Sequence, residues 1–307
     1  MIVITATAPA KVNLIFEVGP LKSNGYHDVN SLFLALDLRE EVTISRALPG
    51  TDISIFVNGE GLPSRHITAV PTDSSNLVAK VALLLSQKFG IETPDIQIDI
   101  LKRIPVAGGM AGGSADAAAM LVAFNEFAHQ EFGSERLSTD ELMDVAAELG
   151  SDISFCVLGQ LAIGTGRGEQ LQLVNPFPFE THWVLAVSSQ GLSTPSVYAK
   201  FDELAVSSEF SDLIQIAGSV DSVEALAKVL GNGLQSAAIA LMPQLESLIA
   251  EIEGLGALKA IVSGSGPTIA ALCSSREKAL EIAQSLNERG IFALTAGSPS
   301  LGANLEA

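Results

Sequence analysis

Few cysteines and histidines occur in this chain of 307 residues, and their scarcity argues against several classes of protein. The two cysteines, Cys156 and Cys273, lie far apart without metal-ligand spacing, so we expect no disulfide framework, which fits a reducing cytosol. The four histidines include no pair with zinc-binding spacing. No apolar run is long enough to span a bilayer, and the N-terminal segment lacks the basic start of a signal peptide. We therefore expect a cytoplasmic globular protein.

Basic residues are also scarce, and this limits the partners that the chain can bind. Lysine and arginine number 17 against 35 aspartates and glutamates, which gives a formal net charge of −18. Such a charge opposes binding to nucleic acid. An anionic substrate would therefore depend on local donors and on magnesium carried by a nucleotide.

The strand and helix patterns mix without strict alternation, which predicts an α+β fold. The length of the chain allows two lobes, and the turn around Pro176 and Pro178 predicts their boundary, with lobes at 1–175 and 176–307. We expect a strand from Thr5 to Val18 and a frayed tail from Pro299. Strict alternation along that strand predicts two faces, one with Ala10, Val12, Leu14 and Phe16, the other with Lys11, Asn13, Ile15 and Glu17.

The segment from Ile104 to Phe127 carries the strongest functional signal. It contains glycines at 108, 109, 112 and 113, then Ser114 and a run of helix-forming residues, and it follows an alternating strand at 96–101. A strand, a glycine-rich loop and a helix start can hold phosphate through unpaired backbone N–H groups. Neither the P-loop pattern nor the GxGxxG pattern fits, and tight backbone packing is the alternative explanation for the glycines.

Three segments together resemble the GHMP kinase family. They are APAKVNL from Ala8, the glycine-rich loop, and VSGSGPT from Val262, and they occur in the family's order. The resemblance implies a two-lobed α+β fold whose first lobe is like ribosomal protein S5 domain 2, and an ATP-dependent small-molecule kinase. The loop departs from the family pattern at several positions, reading AGGMAGGSADAA.

Further segments resemble a branch of this family that phosphorylates the 2-hydroxyl of 4-diphosphocytidyl-2-C-methyl-D-erythritol, in non-mevalonate isoprenoid precursor synthesis. They are GYHDVNSLF from Gly25, GSDISF from Gly150 and STPSVY from Ser193. The resemblance implies that Tyr26 and Tyr198 cover the two faces of a cytosine base and that His27 hydrogen-bonds its edge. Asn13 and Thr194 complete the predicted acceptor site.

The resemblance also implies the catalytic pair and the ATP site. Asp152 would accept or orient the acceptor hydroxyl, and Lys11 would pair with it. The alternatives are a helix-capping aspartate and an ordinary solvated lysine. Ser114 could bind magnesium or phosphate, or simply cap its helix. The residues predicted to bind ATP are Asn76, Lys102, Pro105, Val106, Ala107, Gly108, Gly109, Met110, Ala111, Gly112, Gly113, Ser114 and Ala115.

Three other functions remain open at this point. Another GHMP kinase, of homoserine or mevalonate type, would lack the GYH and STPSVY segments. A non-catalytic ligand sensor of the same fold would not need both Lys11 and Asp152. An S5-like RNA-binding module conflicts with the acidic composition.

Overall fold

The computed structural model describes residues 2–23, 25–106, 108–205 and 209–306, and within them it has twelve strands and eleven helices. The strands are β1 (Val3–Leu21), β2 (His27–Arg46), β3 (Ile53–Gly59), β4 (Ile96–Lys102), β5 (Leu161–Thr165), β6 (Gln170–Leu173), β7 (Thr181–Ala186), β8 (Gly231–Asn232), β9 (Lys259–Val262), β10 (Ile269–Cys273), β11 (Ala293–Ser298) and β12 (Asn304–Leu305). The helices are α1 (Ser64–Thr68), α2 (Leu77–Phe89), α3 (Gly112–Phe132), α4 (Thr139–Leu149), α5 (Ser151–Leu158), α6 (Thr194–Glu203), α7 (Leu213–Ser219), α8 (Val223–Val229), α9 (Gln235–Leu241), α10 (Gln244–Gly254) and α11 (Arg276–Glu288).

The strands form two sheets, which correspond to the two halves of the chain. The first sheet has the order β12-β1-β2-β4-β3; in addition β5 pairs with β2, β6 pairs with β5, and β8 pairs with β1. The second has the order β11-β7-β10-β9. Strands up to Leu173 belong to the first sheet, but β8 and β12 come from the second half and return to it. A boundary at residue 175 remains a prediction, since these two strands cross it.

Alternating side chains of the second sheet join two different cores. Trp183 and Leu185 of β7 pack into the core that also holds β1, β4 and α3. Val184 and Ala186 face the opposite way and pack against residues of α9, α10 and α11. This alternation is the normal two-residue period of a strand. The second sheet therefore lies between its own helices and the core of the first lobe.

A β-bulge in β1 breaks the alternation that the sequence predicts. The pairing of β1 with β2 shifts between Pro9 and Ala10, and it shifts again between Asn13 and Ile15, where Leu14 is left as an extra residue in β1. After one extra residue, every following side chain changes face. Ile15 consequently joins the first core, whereas Phe16 faces a cleft with Lys11. The predicted grouping of Phe16 with Val12, and of Ile15 with Lys11, was wrong for this reason.

The C-terminal segment is ordered, contrary to the expected frayed tail. Strand β12 pairs with β1 through Leu305 and Asn304. The Arg39 guanidinium donates hydrogen bonds to the carbonyl oxygens of Leu301, at 2.7 Å, and Gly302, at 2.8 Å. Strand pairing with β1 and hydrogen bonds from Arg39 therefore fix the position of the C-terminal segment. In the described residues, no helix is both long and apolar enough to cross a membrane.

Candidate active site

Three segments that are distant in sequence meet at one cleft. The backbone N–H of Lys11 donates to the carbonyl of Met110 at 3.3 Å, and the Ser263 hydroxyl donates to the carbonyl of Gly109 at 3.1 Å. Gly109 has φ of +74°, and a Cβ at this position would lie 2.1 Å from the Ser263 carbonyl oxygen. Only glycine allows this approach. The glycine-rich loop is thus in backbone contact with both β1 and the turn that follows β9.

The side-chain amide of Asn232 connects the turn between β9 and β10 to β8, the short strand that pairs with β1. The side-chain nitrogen of Asn232 donates to the carbonyls of Val262 and Gly264, both at 2.7 Å. Gly264 has φ of +55°, and a Cβ there would lie 3.4 Å from Lys11 Nζ and from Asn13 Oδ1. The backbone of this turn therefore forms one wall around the lysine head group.

Lys11 and Asn13 are fixed by a buried chain of hydrogen bonds. Lys11 Nζ donates to Asn13 Oδ1 at 2.8 Å, the Asn13 amide donates to Ser31 Oγ at 2.8 Å, and Ser31 donates to the Ile15 carbonyl at 3.0 Å. All three side chains are almost completely buried. The two-residue spacing places Lys11 and Asn13 on one face of β1, as the sequence predicted. The lysine head group consequently has a defined position.

Asp152 stands opposite this lysine, at the start of α5. Its Oδ2 lies 3.7 Å from Lys11 Nζ, and 39% of its side chain is exposed compared with 6% for the lysine. Asp152 is the second residue of the helix, and its side chain does not cap the helix, which starts after Gly150. The carboxylate can therefore face solvent or substrate on one side and a buried positive charge on the other. This arrangement suits a group that accepts a proton from a bound hydroxyl.

A cavity of about 470 Å³ opens beside this pair. The Ser265 hydroxyl and the Thr194 hydroxyl, 2.8 Å apart, close one side of it. The polar and glycine residues among its lining are Lys11, Asn13, Gly109, Ser114, Gly150, Ser151, Asp152, Arg167, Thr194, Tyr198, Gly264, Ser265 and Gly266. Two predicted catalytic residues, two predicted acceptor-site residues on α6 and two residues of the glycine-rich loop thus share one cavity.

A second cavity, of about 520 Å³, adjoins the first. It lies between one face of α6 and a group of residues near the start of β2, namely Leu21, Gly25, Tyr26, His27 and Val29. Both cavities are lined by Val29, Ser151, Arg167, Thr194 and Tyr198. They therefore form one elongated cleft with the Lys11–Asp152 pair in its first part.

Aromatic rings border the second cavity, as the sequence predicted. Tyr26 is 55% exposed, and the Arg167 guanidinium lies 5.4 Å from the centre of its ring. Tyr198 lies on the α6 side, where burial, together with the negative charge of Asp152, raises the pKa of its hydroxyl to about 12. Tyr198 is therefore neutral at physiological pH. Both rings line the second cavity.

His27 is buried at the back of this cavity and is already hydrogen-bonded. Its Nδ1 lies 2.8 Å from the carbonyl oxygen of Gly19, which can only accept, so Nδ1 carries a hydrogen. Its Nε2 lies 3.4 Å from Asp202 Oδ1. The imidazole also contacts Tyr198, with ring centres 5.1 Å apart. His27 therefore supports the Tyr198 ring and is coupled to a carboxylate.

The glycine-rich loop ends in the N-terminus of α3. Ala111, the residue before the helix, has φ of +63°, a left-handed conformation that costs a residue with a side chain free energy. Gly113 is exposed, and a Cβ built on it would meet no atom within 4 Å. The first N–H groups of a helix lack intrahelical partners, and here they lie beside Ser114 at the cavity wall. This end of the helix can bind an anion.

The other loop residues predicted to bind ATP are arranged less uniformly. Pro105, Met110, Gly112 and Ala115 are buried, and their side chains are not presented to the main cavity. Val106 and Gly108 line a separate cavity of about 160 Å³ behind the loop. Ala107 lies outside the described residues. Contacts to a nucleotide from the buried members would have to come from the backbone.

Lys102 is not available to a nucleotide. Its ammonium is fully buried, 2.5 Å from Glu40 and 2.7 Å from Asp116, so the prediction that it contacts ATP is corrected here. Burial, reinforced by the charge of Asp116, raises the pKa of Glu40 to about 8. Glu40 also accepts hydrogen bonds from the backbone N–H groups of Arg103 and Ile104. Glu40, held by Lys102, thus fixes the backbone at the start of the glycine-rich loop from the protein interior.

Asn76 caps α2, and both ends of its amide are engaged. Its oxygen accepts from the N–H of Val78 at 3.0 Å, and its nitrogen donates to the carbonyl of Pro71 at 2.6 Å. A contact between this side chain and adenine would require one of these bonds to break, so its role in ATP binding remains a prediction.

Sequence reasoning assigned no role to three residues that shape the cleft. Ser31 and Asn232 act through hydrogen bonds to distant backbone, which no local pattern reveals. The third residue, Asp202, follows Tyr198 by one helical turn. That four-residue spacing was a usable signal, because residues four apart share a helix face.

Comparisons with known proteins identify relatives over nearly the whole chain. Family models described as GHMP kinases N terminal domain and GHMP kinases C terminal match residues 76–160 and 212–291. A protein of Nocardia farcinica named 4-diphosphocytidyl-2-C-methyl-D-erythritol kinase is 45% identical, covering 97% of this chain and 94% of the relative. A protein of Thermobifida fusca with the same name is 43% identical, covering 98% of both chains.

Solved structures share the whole fold. A crystal structure of 4-(cytidine 5'-diphospho)-2C-methyl-D-erythritol kinase has a TM-score of 0.75 and 26% identity, covering 96% of this chain and 99% of the other. Homoserine kinase from Cytophaga hutchinsonii, at 19% identity and a TM-score of 0.72, covers 99% of this chain and 97% of its own and shows likeness of fold alone. The predicted α+β two-lobed fold and the predicted resemblance are confirmed. The chain therefore belongs to the GHMP kinase family.

Proposed function

We propose that the protein transfers the γ-phosphoryl group of ATP to the 2-hydroxyl of 4-diphosphocytidyl-2-C-methyl-D-erythritol, a step of non-mevalonate isoprenoid precursor synthesis. The observation that carries the proposal is the position of the Lys11–Asp152 pair, in a cleft that has the glycine-rich loop at one end and two tyrosines at the other. Relatives that match nearly the whole chain bear the name of this kinase.

The catalytic pair divides the chemical work. Asp152 accepts the proton of the acceptor hydroxyl as its oxygen attacks the γ-phosphorus, and the bond from that phosphorus to the β-phosphate oxygen breaks. Lys11 stabilises the negative charge on the transferring group. Asn13 holds the ammonium in place through its 2.8 Å hydrogen bond. The proton then leaves Asp152 through its exposed side, and the products are the 2-phosphate and ADP.

The glycine-rich loop holds the phosphates of ATP. The N-terminus of α3 offers unpaired N–H groups and the positive end of the helix dipole. ATP enters with Mg²⁺, which offsets the repulsion between the phosphates and an acidic protein. Among the described residues no three His, Cys, Asp or Glu side chains form a metal cluster, and the Ser114 hydroxyl is the side chain we assign to the metal or to a phosphate oxygen.

The second cavity binds the cytidine diphosphate end of the acceptor. Tyr26 and Tyr198 take the two faces of the base, and Thr194 lies where both cavities meet. Arg167 also lies at this junction and carries a permanent positive charge. We assign it to the diphosphate, which must run from the base towards the reacting hydroxyl. Homoserine and mevalonate acceptors have no group that would use this second cavity.

One assay tests the function directly. Purified protein is incubated with Mg-ATP and each of three acceptors, namely the cytidine-bearing compound, the same compound without its cytidine group, and homoserine. Phosphate position is determined by ³¹P NMR. We expect phosphorylation of the first at the 2-hydroxyl, with a much higher kcat/KM than for the others. Equal kcat/KM with and without the cytidine group would refute the proposed acceptor and leave only the assignment to the GHMP kinase family.

A further inference from the structure

We propose that Asp202 is a specificity residue that accepts a hydrogen bond from the 4-amino group of cytosine. The inference rests on the proposed function. Asp202 lines the second cavity, and 36% of its side chain is exposed. It is the single carboxylate among the described residues that line that cavity. An ionised carboxylate only accepts hydrogen bonds, so its favourable contact with an anionic ligand is a hydrogen-bond donor on that ligand.

Its position places it at the edge of the base. Asp202 and Tyr198 are four residues apart on α6 and therefore lie on one helix face. His27 connects them, since its ring contacts Tyr198 and its Nε2 is 3.4 Å from Asp202 Oδ1. A pyrimidine stacked on Tyr198 consequently has a polar edge within reach of this carboxylate.

The chemistry of the carboxylate distinguishes the two pyrimidines. An ionised aspartate has only acceptors, so it pairs with the amino group of cytosine. Uracil carries a carbonyl oxygen at the same position, and two oxygen acceptors repel each other. The Nδ1 of His27 is engaged by the Gly19 carbonyl, so only its Nε2 could reach the base, and this atom lies 3.4 Å from Asp202 Oδ1. Stacking on tyrosine contributes nearly the same binding free energy for either pyrimidine.

The test combines substitutions with modified acceptors. We compare kcat/KM of the wild type, Asp202→Asn and Asp202→Ala for acceptors bearing cytosine, uracil or 2-pyrimidinone, which lacks the 4-amino group. Glu203→Gln is the matched control, because this neighbouring carboxylate pairs with Lys200 and does not line the cavity. Circular dichroism and thermal melting establish that each variant is folded.

We expect the wild type to favour cytosine over 2-pyrimidinone by at least about 5-fold. Asp202→Ala should abolish that preference through a raised KM for the cytosine acceptor, and Asp202→Asn should reduce the preference over uracil because an amide can also donate. Glu203→Gln should keep the wild-type preference. A cytosine preference that is unchanged in both Asp202 variants overturns the inference.

The 2-pyrimidinone comparison needs only the wild type, so it keeps the inference testable if a variant does not fold. Equal kcat/KM for cytosine and 2-pyrimidinone would overturn the inference without any variant. Absence of turnover of the cytosine acceptor by the wild type would instead refute the proposed function. Turnover with a base preference independent of Asp202 would leave that function intact and refute only the specificity role.

Discussion

Replacing Asp152 by asparagine should separate catalysis from stability. The substitution keeps the shape of the side chain but removes its charge and its capacity to accept a proton. General-base losses are typically about 10²- to 10⁴-fold in rate, which corresponds to about 2.7–5.5 kcal/mol of activation free energy. We expect kcat to fall within this range, while the KM values for ATP and acceptor change little.

The structure sets a much smaller cost for folding. The carboxylate is 39% exposed and 3.7 Å from Lys11 Nζ, and a partly exposed ion pair contributes about 1 kcal/mol or less. A negative charge in the first turn of a helix contributes about 0.3–1 kcal/mol. The free energy of unfolding should therefore decrease by about 1 kcal/mol, well below the loss in activation free energy.

Asp140→Asn is the matched control, because Asp140 also lies in the first turn of a helix, α4, and is exposed. Single-turnover kinetics with saturating Mg-ATP measure the chemical step, and urea denaturation measures stability. Both variants should lose similar small amounts of stability, and only Asp152→Asn should lose rate. A variant at Asp152 that retains more than half of the wild-type single-turnover rate would refute the assignment of the proton acceptor.

Three other substitutions test the loop and its support. Gly113→Val should raise the KM for ATP at least several-fold in a folded protein, because the valine side chain would occupy the open space beside the helix start where phosphate binds. An unchanged KM for ATP would contradict the phosphate-binding role of this helix start. Ala111→Gly should raise the free energy of unfolding by about 1 kcal/mol in urea denaturation by relieving a φ of +63°, and a lower stability would show that the conformation is not strained. The pKa of Glu40 is about 8 in the folded state and 4.5 in its ordinary state, so between these pH values the unfolded protein binds fewer protons than the folded protein. The contribution of Glu40 to the free energy of unfolding therefore decreases as the pH rises from 4.5 to 8. Glu40→Gln should flatten that dependence in urea melts at pH 5 and pH 8, and identical pH profiles for both proteins would contradict the assignment.

The choice of Gly113 follows from packing that the sequence did not reveal. The loop pattern treats Gly112 and Gly113 alike. A Cβ on Gly112 would lie 3.2 Å from Ile104 Cγ2 and 3.4 Å from Glu40 Oε1, so a substitution there tests the core as well as ATP binding. The difference arises from helix rotation, which turns one glycine inward and the next outward.

Local patterns predicted the strand at 96–101 and the helix start after the glycine-rich loop, because apolar periodicity acts over a few residues. The strand is present as β4, which spans Ile96–Lys102. Features that depend on contacts between residues distant in sequence were harder to predict. The bulge at Leu14 depends on how β1 pairs with β2, and the charge of Lys102 gave no sign that two carboxylates from other elements would enclose it.

The candidate site divides in the same way. Motifs placed Lys11, Asp152 and Tyr198 in one cleft because each stands in a distinctive local sequence. The family resemblance drew attention to His27, but its engagement by the Gly19 carbonyl and by Asp202 depends on tertiary packing. Arg167 becomes interpretable only when the turn that carries it lies between two cavities.

The backbone contact between Gly109 and Ser263 has a consequence for how activity arises during folding. It joins a loop of the first lobe to a turn of the second, and the same turn forms a wall beside Lys11. Contacts between such distant parts of a chain form late, because large loops must close first. A chain whose second lobe has not yet folded therefore lacks the wall that Gly264 forms beside Lys11, although Lys11, Asp152 and the glycine-rich loop all belong to the first lobe.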